Sequence, residues 1–521
     1  MRTPCDEAIL RSVKADHPCL AEARPWILAA TILGSSMAFI DGTVVNVALP
    51  ALQASFNATI SDLQWVVESY GLLLGALTLV GGSLGDLFGR RRMFVLGAVI
   101  FTAASMWCGL STSVAQLIIA RSIQGIGAAF LVPGSLALIS ASFDEKVRGK
   151  AIGTWSGSTA ITAAVGPLIG GWLIEHASWR WAFFINLPLG AAVIAISLWR
   201  IPESHSLSAK RIDWLGALVV TAGLAGLVYG FIESVNLGWN DPRVFLSLTA
   251  GSVGLILFVI IEARESSPMV PLTLFKSRAF TGANLLTLLL YAALSIWMFL
   301  FPMELIQVRG YSATIAGAAM LPLVLLMFAL SRWSGGLVAR YGARLPLVIG
   351  PLIAAAGFAL FALLLSGESY WTTFFPAAIV LGFGMSVTIA PLTTTVMNSV
   401  DQDRVGTASG VNNAVSRVAG VLAIAVLGGV MVYAFSADLN RRLTALKVPS
   451  NVVHHIQADR AKLAAIQPPQ SLDPGTRDQL KTSISSAFLS GFRVITLICA
   501  ALALGSAAVA SFTMPRRAIK Q

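Results

Sequence analysis

The sequence predicts an all-α integral membrane protein that crosses the bilayer fourteen times. Three observations lead to this fold class: 56% of the 521 residues are apolar, only 12% are charged, and the mean hydropathy is +0.77. Soluble globular domains carry about twice this share of charged residues. The composition therefore excludes a soluble, disordered or disulfide-stabilised protein. The four cysteines are scattered, so they indicate neither a metal site nor a disulfide framework.

Each predicted helix is a run of about 20 apolar residues, the length needed to cross a hydrocarbon core of about 30 Å. The first run follows a polar tail, residues 1–25, and lacks a cleavage site, which indicates a retained helix rather than a signal peptide. In chain order the fourteen runs cover residues 26–50, 63–84, 93–110, 117–140, 151–174, 181–198, 215–232, 244–261, 280–305, 315–333, 345–365, 373–397, 406–435 and 487–514.

Lysine and arginine determine the predicted orientation, because basic loops resist translocation and remain in the cytoplasm. With the N-terminus inside, the inside segments hold 22 Lys and Arg, whereas the short outside loops hold three: Arg180, Arg243 and Arg309. This asymmetry predicts that both tails, 1–25 and 515–521, are cytoplasmic. The net charge of +11 is then a topology signal, with a secondary attraction to membrane lipids and no nucleic-acid partner implied.

One outside segment, residues 436–486, is much longer than the others. Two stretches within it, 437–446 and 452–466, have helical spacing of apolar residues and predict a small helical hairpin on the outer surface. A tolerated spacer is an equally good interpretation, and an adaptor protein docking on this loop is left open. His454 and His455 have no further ligands nearby, so they indicate a solvated surface rather than a metal site.

A short internal repeat explains the number fourteen. Residues 82–97, GSLGDLFGRRRMFVLG, align with residues 335–350, GGLVARYGARLPLVIG, so that helices 2 and 3 match helices 10 and 11. Duplicated transporters hold their substrate site between the repeats. The two copies are eight helices apart, two more than a repeating unit of six helices requires. This offset predicts two six-helix bundles, residues 26–200 and 279–514, separated by two inserted helices within residues 212–262.

Ionisable residues inside spans are costly to bury and mark a cavity, a partner or a functional site. Asp41 of helix 1 and Arg121 of helix 4 lie at nearly the same depth, so their side chains can pair. Such a pair predicts a proton-coupling site, because a carboxylate whose contacts with water and a guanidinium change can take up and release a proton. A purely structural ion pair is the alternative.

Other intramembrane polar residues are predicted to line a substrate cavity. Glu68 and Glu304 lie in the outer halves of their helices, where snorkelling to water is as good an interpretation as function. Glu68 is also a second candidate for proton coupling. The remaining cavity candidates are Asn412, Asn413, Arg417 and Arg493.

The loop between helices 2 and 3 is a predicted conformational gate. Asp86 stands opposite Arg90 and Arg91 across a turn at Gly89. An exposed ion pair is worth at most about 1 kcal/mol, which still shifts a near-balanced equilibrium several-fold.

Helix 5 contains closely spaced small residues and one proline. Small residues four apart let helices pack closely, and proline permits bending. The sequence leaves open whether this segment moves or only packs. Its residues are Gly166, Pro167, Gly170 and Gly171.

These motifs together resemble the major facilitator superfamily, and within it the fourteen-helix drug:proton antiporter branch. The resemblance covers nearly the whole chain. DGTVVNVALP at residues 41–50 is similar to the helix 1 signature of that branch, GSLGDLFGRRR to the loop 2–3 motif, and RSIQGIG at residues 121–127 to the helix 4 motif. GPLIGG at residues 166–171 resembles the helix 5 motif of antiporters. WRWAFFINLPLG at residues 179–190, and Asn412, Asn413 and Arg417, are also similar to the branch.

The resemblance implies that Asp41 and Arg121 serve proton coupling, that the loop 2–3 motif gates the inner face, and that helices 7 and 8 are peripheral. Two departures from the pattern are visible. Ala339 stands where the first copy of the loop motif has Asp86, so the second copy lacks that charge. Helix 10 lacks an acidic residue that some exporters of divalent cations use, which disfavours that activity unless Glu68 or Glu304 substitutes.

The sequence therefore predicts a monomeric transporter of a bacterial-type inner (plasma) membrane that exports amphipathic, cationic drugs as protons enter. It predicts no cofactor and no metal site, because the proton gradient supplies the energy and no phosphate-binding loop is recognisable. A lipid or glycolipid exporter and a non-transporting sensor remain alternatives. The GPLIGG segment disfavours a nutrient importer, and the lack of histidine in the spans disfavours an intramembrane enzyme.

Overall fold

The computed structural model describes residues 18–143, 145–205, 212–265, 268–364, 369–401, 404–446 and 448–515. Within these residues the chain is helical, and fourteen helices are long and apolar enough to cross a membrane. The predicted all-α membrane fold is therefore confirmed. We label the fourteen helices α1 (Pro18–Phe56), α2 (Ile60–Phe88), α3 (Arg90–Leu110), α4 (Val114–Ser142), α5 (Glu145–His176), α6 (Trp181–Arg200), α7 (Trp214–Leu237), α8 (Pro242–Arg264), α9 (Arg278–Val308), α10 (Ala313–Ser331), α11 (Arg344–Leu363), α12 (Phe375–Asn398), α13 (Val405–Ala445) and α14 (Pro474–Thr513).

Several helices extend beyond the predicted apolar runs. α1 begins at Pro18 rather than at residue 26, so part of the predicted tail 1–25 is helical, while residues 1–17 lie outside the described residues. Of the predicted tail 515–521, only residue 515 is described. Hydropathy marks the part of a helix that lies in lipid, and these helices continue past it.

The segment 436–486 differs most from its prediction. Its first helical stretch is the end of α13, and its second divides into a short helix, Ser450–Ala458, and a 3-10 segment, Arg460–Ala465. α14 begins at Pro474, where the Asp473 carboxylate accepts a hydrogen bond from the Thr476 backbone N–H at 2.8 Å. These helix N-terminal hydrogen bonds hold the pKa of Asp473 below its usual value. The predicted hairpin is therefore replaced by two long helices and a short connecting strap.

Contacts between helices divide the chain into two bundles and a peripheral pair. Helices α1–α6 pack on one another, and α9–α14 form the second group. The two groups meet where α2 packs on α13 and α5 packs on α10. α7 packs on α8 and also touches α2 and α13, whereas α8 is the least buried of the fourteen helices.

The two ends of the bundle differ in how the groups meet. We call the end that holds Arg90 the basic face, and the end that holds residues 446–473 the long-loop face. At the long-loop face, the Gln307 side-chain amide donates to Gln53 Oε1 at 2.8 Å, and the Thr314 backbone N–H donates to Glu175 Oε2 at 3.2 Å. Toward the basic face, an added Cβ atom at Gly153 of α5 would meet no heavy atom within 4 Å. The two groups are thus joined by hydrogen bonds at the long-loop face, while Gly153 of α5 is exposed toward the basic face.

Candidate functional site

The buried centre of the first group is an ion pair between α1 and α4. Asp41 and Arg121 are both almost fully buried, and an Arg121 terminal nitrogen donates to Asp41 Oδ2. Arg121 also donates from Nε to the Val66 carbonyl oxygen at 3.1 Å, and its guanidinium lies 4.2 Å from the centre of the Tyr70 ring. The structure brings together the two residues that the sequence predicted to pair.

Uncharged side chains complete the contacts of this ion pair. Asp41 Oδ1 accepts hydrogen bonds from the Gln124 amide at 2.8 Å and from the Asn186 amide at 3.3 Å. Both amides also donate to Ser105 Oγ, at 3.1 and 2.9 Å respectively. Both carboxylate oxygens are therefore occupied by donors from neighbouring helices. We call the set the coupling network, after the role that the sequence predicts for Asp41 and Arg121; its members are Asp41, Tyr70, Ser105, Arg121, Gln124 and Asn186.

Glycines allow the helices of the network to approach one another. A Cβ atom added at Gly125 of α4 would lie 2.6 Å from the Tyr70 carbonyl oxygen, and one added at Gly127 would lie 2.6 Å from the Phe101 backbone nitrogen. Any larger side chain would push α4 away from α2 and α3.

Sequence reasoning quoted Gln124 and Asn186 only within motifs and missed Ser105 and Tyr70 altogether.

Glu68, the second predicted coupling residue, lies elsewhere on α2. It is buried on the side that faces α13, between Gln64, which donates to the Ile424 carbonyl oxygen, and Gly71, which approaches Val421. Its Oε2 atom has no hydrogen-bond partner among the described residues. The structure therefore separates Glu68 from the Asp41–Arg121 pair.

Arg417, one of the predicted cavity residues, lies on α13 beside α1 and α2 of the first group. Arg417 of α13 extends toward α1, with its guanidinium 6.0 Å from the centre of the Phe39 ring, and the titratable groups that act on it electrostatically are Tyr70 and Tyr291. Gly42 of α1 is exposed, and an added Cβ there would meet no heavy atom within 4 Å. Asn413, one helical turn before Arg417, is also exposed. We propose that five residues of α1, α9 and α13 face the space between the groups, and we call them the central site: Phe39, Gly42, Tyr291, Asn413 and Arg417.

The predicted gate is an ordered loop at the basic face. Arg90 Nε donates to Asp86 Oδ1 at 2.9 Å, and Gly89 adopts a φ of +110°, which favours glycine. A Cβ atom added at Gly89 would lie 2.7 Å from the Glu203 carboxyl carbon. These contacts are all within the first group.

Glu203, which follows α6, contacts this loop and was missed by sequence reasoning. Its carboxylate accepts hydrogen bonds from the backbone N–H groups of Arg91 at 3.0 Å and Arg92 at 3.2 Å. These two N–H groups lie in the first turn of α3 and have no acceptor within the helix, so a negative charge beside them is stabilising. Glu203 therefore holds α6 and the loop against α3.

The glycines of α5 face two different helices. Added Cβ atoms at Gly166 and Gly170 would collide with Thr43 and Val44 of α1. One added at Gly171 would collide with the Ala313 carbonyl oxygen of α10 in the other group. The motif thus serves packing within the first group and, at the long-loop face, close contact between the groups.

Comparison with known proteins identifies the family. The model described as "Major Facilitator Superfamily" matches residues 31–424. The chain belongs to the major facilitator superfamily.

Relatives and solved structures of the superfamily cover nearly the whole chain. "Multidrug resistance protein Stp" of Mycobacterium tuberculosis is 35% identical, over 91% of this chain and 89% of the relative. "Tetracenomycin C resistance and export protein" of Streptomyces glaucescens is 31% identical, over 94% and 92%. A bacterial homolog of the human lysosomal transporter Spinster, 17% identical, matches with a TM-score of 0.64 over 94% of this chain and 97% of that one. The structural match shows the major facilitator fold.

Four predicted cavity residues of this major facilitator protein are not members of the central site: Glu68, described above, and Asn412, Glu304 and Arg493. The Asn412 side-chain amide donates to Thr287 Oγ1 at 2.8 Å, so it joins α13 to α9. Glu304 is fully buried and accepts from Arg309 Nε at 2.8 Å. Arg493 is exposed on α14 and donates to a carbonyl oxygen of α11, at 3.0 Å. Depth along a helix does not show which way a side chain points, and the cavity role of these residues stays a prediction.

Proposed function

We propose that this major facilitator protein exports amphipathic drugs in exchange for protons by alternating access between α1–α6 and α9–α14. The observation that supports proton exchange most directly is the coupling network, which holds one buried carboxylate against one guanidinium. The relatives named for multidrug resistance and for resistance and export support drugs as the substrate class. In this proposal the basic face is cytoplasmic, the membrane is a bacterial inner membrane, and the protein acts as a monomer.

Protonation of Asp41 is the proposed switch. It would remove the charge that Arg121 pairs with and would turn one carboxylate oxygen from an acceptor into a donor. The Asp41 contacts with Gln124 and Asn186 would then rearrange, which changes how α1 packs on α4 and α6. A proton entering down one pH unit and 100 mV releases about 3.7 kcal/mol, enough for a several-hundred-fold drug gradient at one-to-one exchange.

The predicted preference for cations has no matching carboxylate in the central site. Among its described residues the charged group is Arg417, and Asp41 is enclosed in the coupling network. We therefore propose amphipathic substrates that pack against Phe39 and Tyr291, without assigning them a charge.

The test is proton release from liposomes that contain the purified protein. We expect addition of ethidium to drive proton movement in the wild type and not in Asp41→Asn. Glu304→Gln is the matched control, since it also replaces a buried, arginine-paired carboxylate, and it should retain exchange. Exchange that survives in Asp41→Asn but is lost in Glu68→Gln would assign coupling to Glu68. Absence of proton movement with a panel of such drugs would contradict drug:proton exchange.

A further inference from the structure

A partly open cavity lies at the long-loop face, apart from the central site. Its volume is about 620 Å³, and residues of both groups line it. α1 contributes Ala51, Gln53 and Ala54, α9 contributes Ile306 and Gln307, and the strap after Arg460 contributes Lys462. Cavities that hold drug-sized molecules have volumes of about 300–1,000 Å³.

One residue that lines the cavity, Gln307, carries a buried acceptor without a donor. Gln307 uses its amide nitrogen to donate to Gln53 Oε1 at 2.8 Å, while its own Oε1 is buried and has no partner among the described residues. Gln53 in turn donates to the Lys462 carbonyl oxygen at 3.1 Å. Because a buried acceptor without a donor is costly, the Gln307 oxygen favours a ligand with an N–H or O–H group.

The charges around the cavity favour a neutral ligand. Among the described residues that line it, none is acidic, and the Lys462 ammonium is paired with Asp459 Oδ1 at 2.9 Å. The rest of the lining is mostly alanine, isoleucine, valine and proline, with side-chain amides and hydroxyls among them. Such a surface suits an amphipathic molecule with hydrogen-bond donors and no net charge.

We propose that this cavity is a second ligand site, which binds neutral amphipathic molecules that carry hydroxyl or amide donors. A ligand seated there contacts α1, α9 and the strap together, so it binds the conformation in which these elements meet. A ligand that binds one state of an equilibrium stabilises that state. Occupancy of this site therefore holds the long-loop face closed and slows any cycle that must open it.

The test uses chloramphenicol, a neutral amphipath with two hydroxyl groups and an amide, and the full chain in lipid nanodiscs. Ala54→Trp places a large side chain in the cavity from an exposed alanine, whereas Ser55→Trp adds the same side chain at the next residue, which is exposed and outside the lining. Gln307→Leu removes the acceptor. The readout is hydrogen–deuterium exchange of peptides covering 304–313 and 460–467.

We expect chloramphenicol to slow exchange in both peptides at least threefold in wild type and Ser55→Trp. The protection should be lost in Ala54→Trp and weakened about tenfold in apparent affinity in Gln307→Leu. Wild-type protein without protection in these peptides, or protection that persists in Ala54→Trp, would overturn the proposal. The experiment needs no proton gradient, so its result is independent of whether Asp41 couples transport.

Transport kinetics provide a second, separable measurement. In liposomes that export ethidium, chloramphenicol bound at this site should lower the maximal rate without raising the ethidium concentration for half-maximal rate. The inhibition should disappear in Ala54→Trp and remain in Ser55→Trp. Purely competitive inhibition, unchanged in Ala54→Trp, would place chloramphenicol in the central site and overturn the second site while leaving the exporter intact.

Discussion

Removing the charge of Asp41 should destabilise the protein strongly, because it leaves the Arg121 guanidinium buried without a counter-ion. Breaking a buried pair from one side costs about 3–5 kcal/mol. Here Arg121 keeps its hydrogen bonds to the Val66 carbonyl oxygen and to Gln124 Oε1, and its contact with the Tyr70 ring. We therefore expect Asp41→Asn to cost about 3 kcal/mol in the free energy of unfolding, or about 150-fold in the equilibrium constant.

A double-mutant cycle isolates the contribution of the pair. The measurement is reversible unfolding in mixed micelles of wild type, Asp41→Asn, Arg121→Gln and the double variant. Since the double variant buries no unpaired charge, it should be more stable than the sum of the single effects predicts, by about 2 kcal/mol or more. Asp241 and Arg243 form an exposed pair at 3.0 Å, so the same cycle there is a control expected to show no measurable coupling.

Additivity within about 0.5 kcal/mol at Asp41 and Arg121 would refute this reasoning. It would mean that Gln124, Asn186 and Ser105 satisfy either charge alone, and that the ion pair is not the unit that responds to protonation. A loss of proton release in Asp41→Asn would then still be a valid observation, but the Asp41–Arg121 ion pair would no longer explain it.

Three further predictions concern other parts of the molecule. The methyl group added by Gly171→Ala should collide with the Ala313 carbonyl oxygen and destabilise the conformation with a closed long-loop face by about 1–3 kcal/mol. The population of the open conformation should then rise at least several-fold, which distances between spin labels on the two groups would measure. Glu203→Gln should lower stability by about 1 kcal/mol because α3 loses an anionic N-terminal partner; thermal unfolding checks this. Arg417→Gln should tighten ethidium binding several-fold by removing a like charge from the central site, with Arg493→Gln as the unaffected control, measured by ethidium fluorescence.

Hydropathy was sufficient to predict the helices but not their ends. A bilayer forces every spanning segment into a closed backbone hydrogen-bond pattern, so an apolar run of sufficient length predicts a helix. Beyond the lipid, local capping decides the ends: α14 begins at Pro474 because Asp473 accepts the Thr476 N–H. That signal lies in a polar segment where apolar runs give no information.

For the candidate site, the sequence predicted only how deep each residue lies along its helix. Counting residues along helices placed Asp41 and Arg121 at one level, and the structure pairs them. The same counting made Glu304 and Arg493 equally good candidates for a substrate cavity. In the structure Glu304 is buried in a separate ion pair, whereas Arg493 is exposed beside α11. The direction of a side chain depends on which helices are neighbours, and one sequence does not specify that.

Long-range partners were missed for the same reason. Ser105 of α3 has no distinguishing motif, and only the packing of α3 beside α4 and α6 brings its hydroxyl to Gln124 and Asn186. Glu203 contacts backbone amides more than 100 residues away in the chain. The Lys462 backbone carbonyl of the strap accepts a hydrogen bond from Gln53, a contact that no side-chain pattern predicts.

α1 connects all the parts that an exporter must coordinate. Asp41 belongs to the coupling network, the next residue, Gly42, faces the central site, and Gln53 bonds to α9 and to the strap at the long-loop face. Twelve residues separate Asp41 from Gln53, which is about 18 Å along a helix. We expect a rearrangement of α1 against α4 at Asp41 to reach the contacts of Gln53 along this one helix, through the segment that contains Pro50. Because one helix carries both sets of contacts, we expect the state of the Asp41 carboxylate and the closure of the long-loop face to change together, unless α1 bends at Pro50.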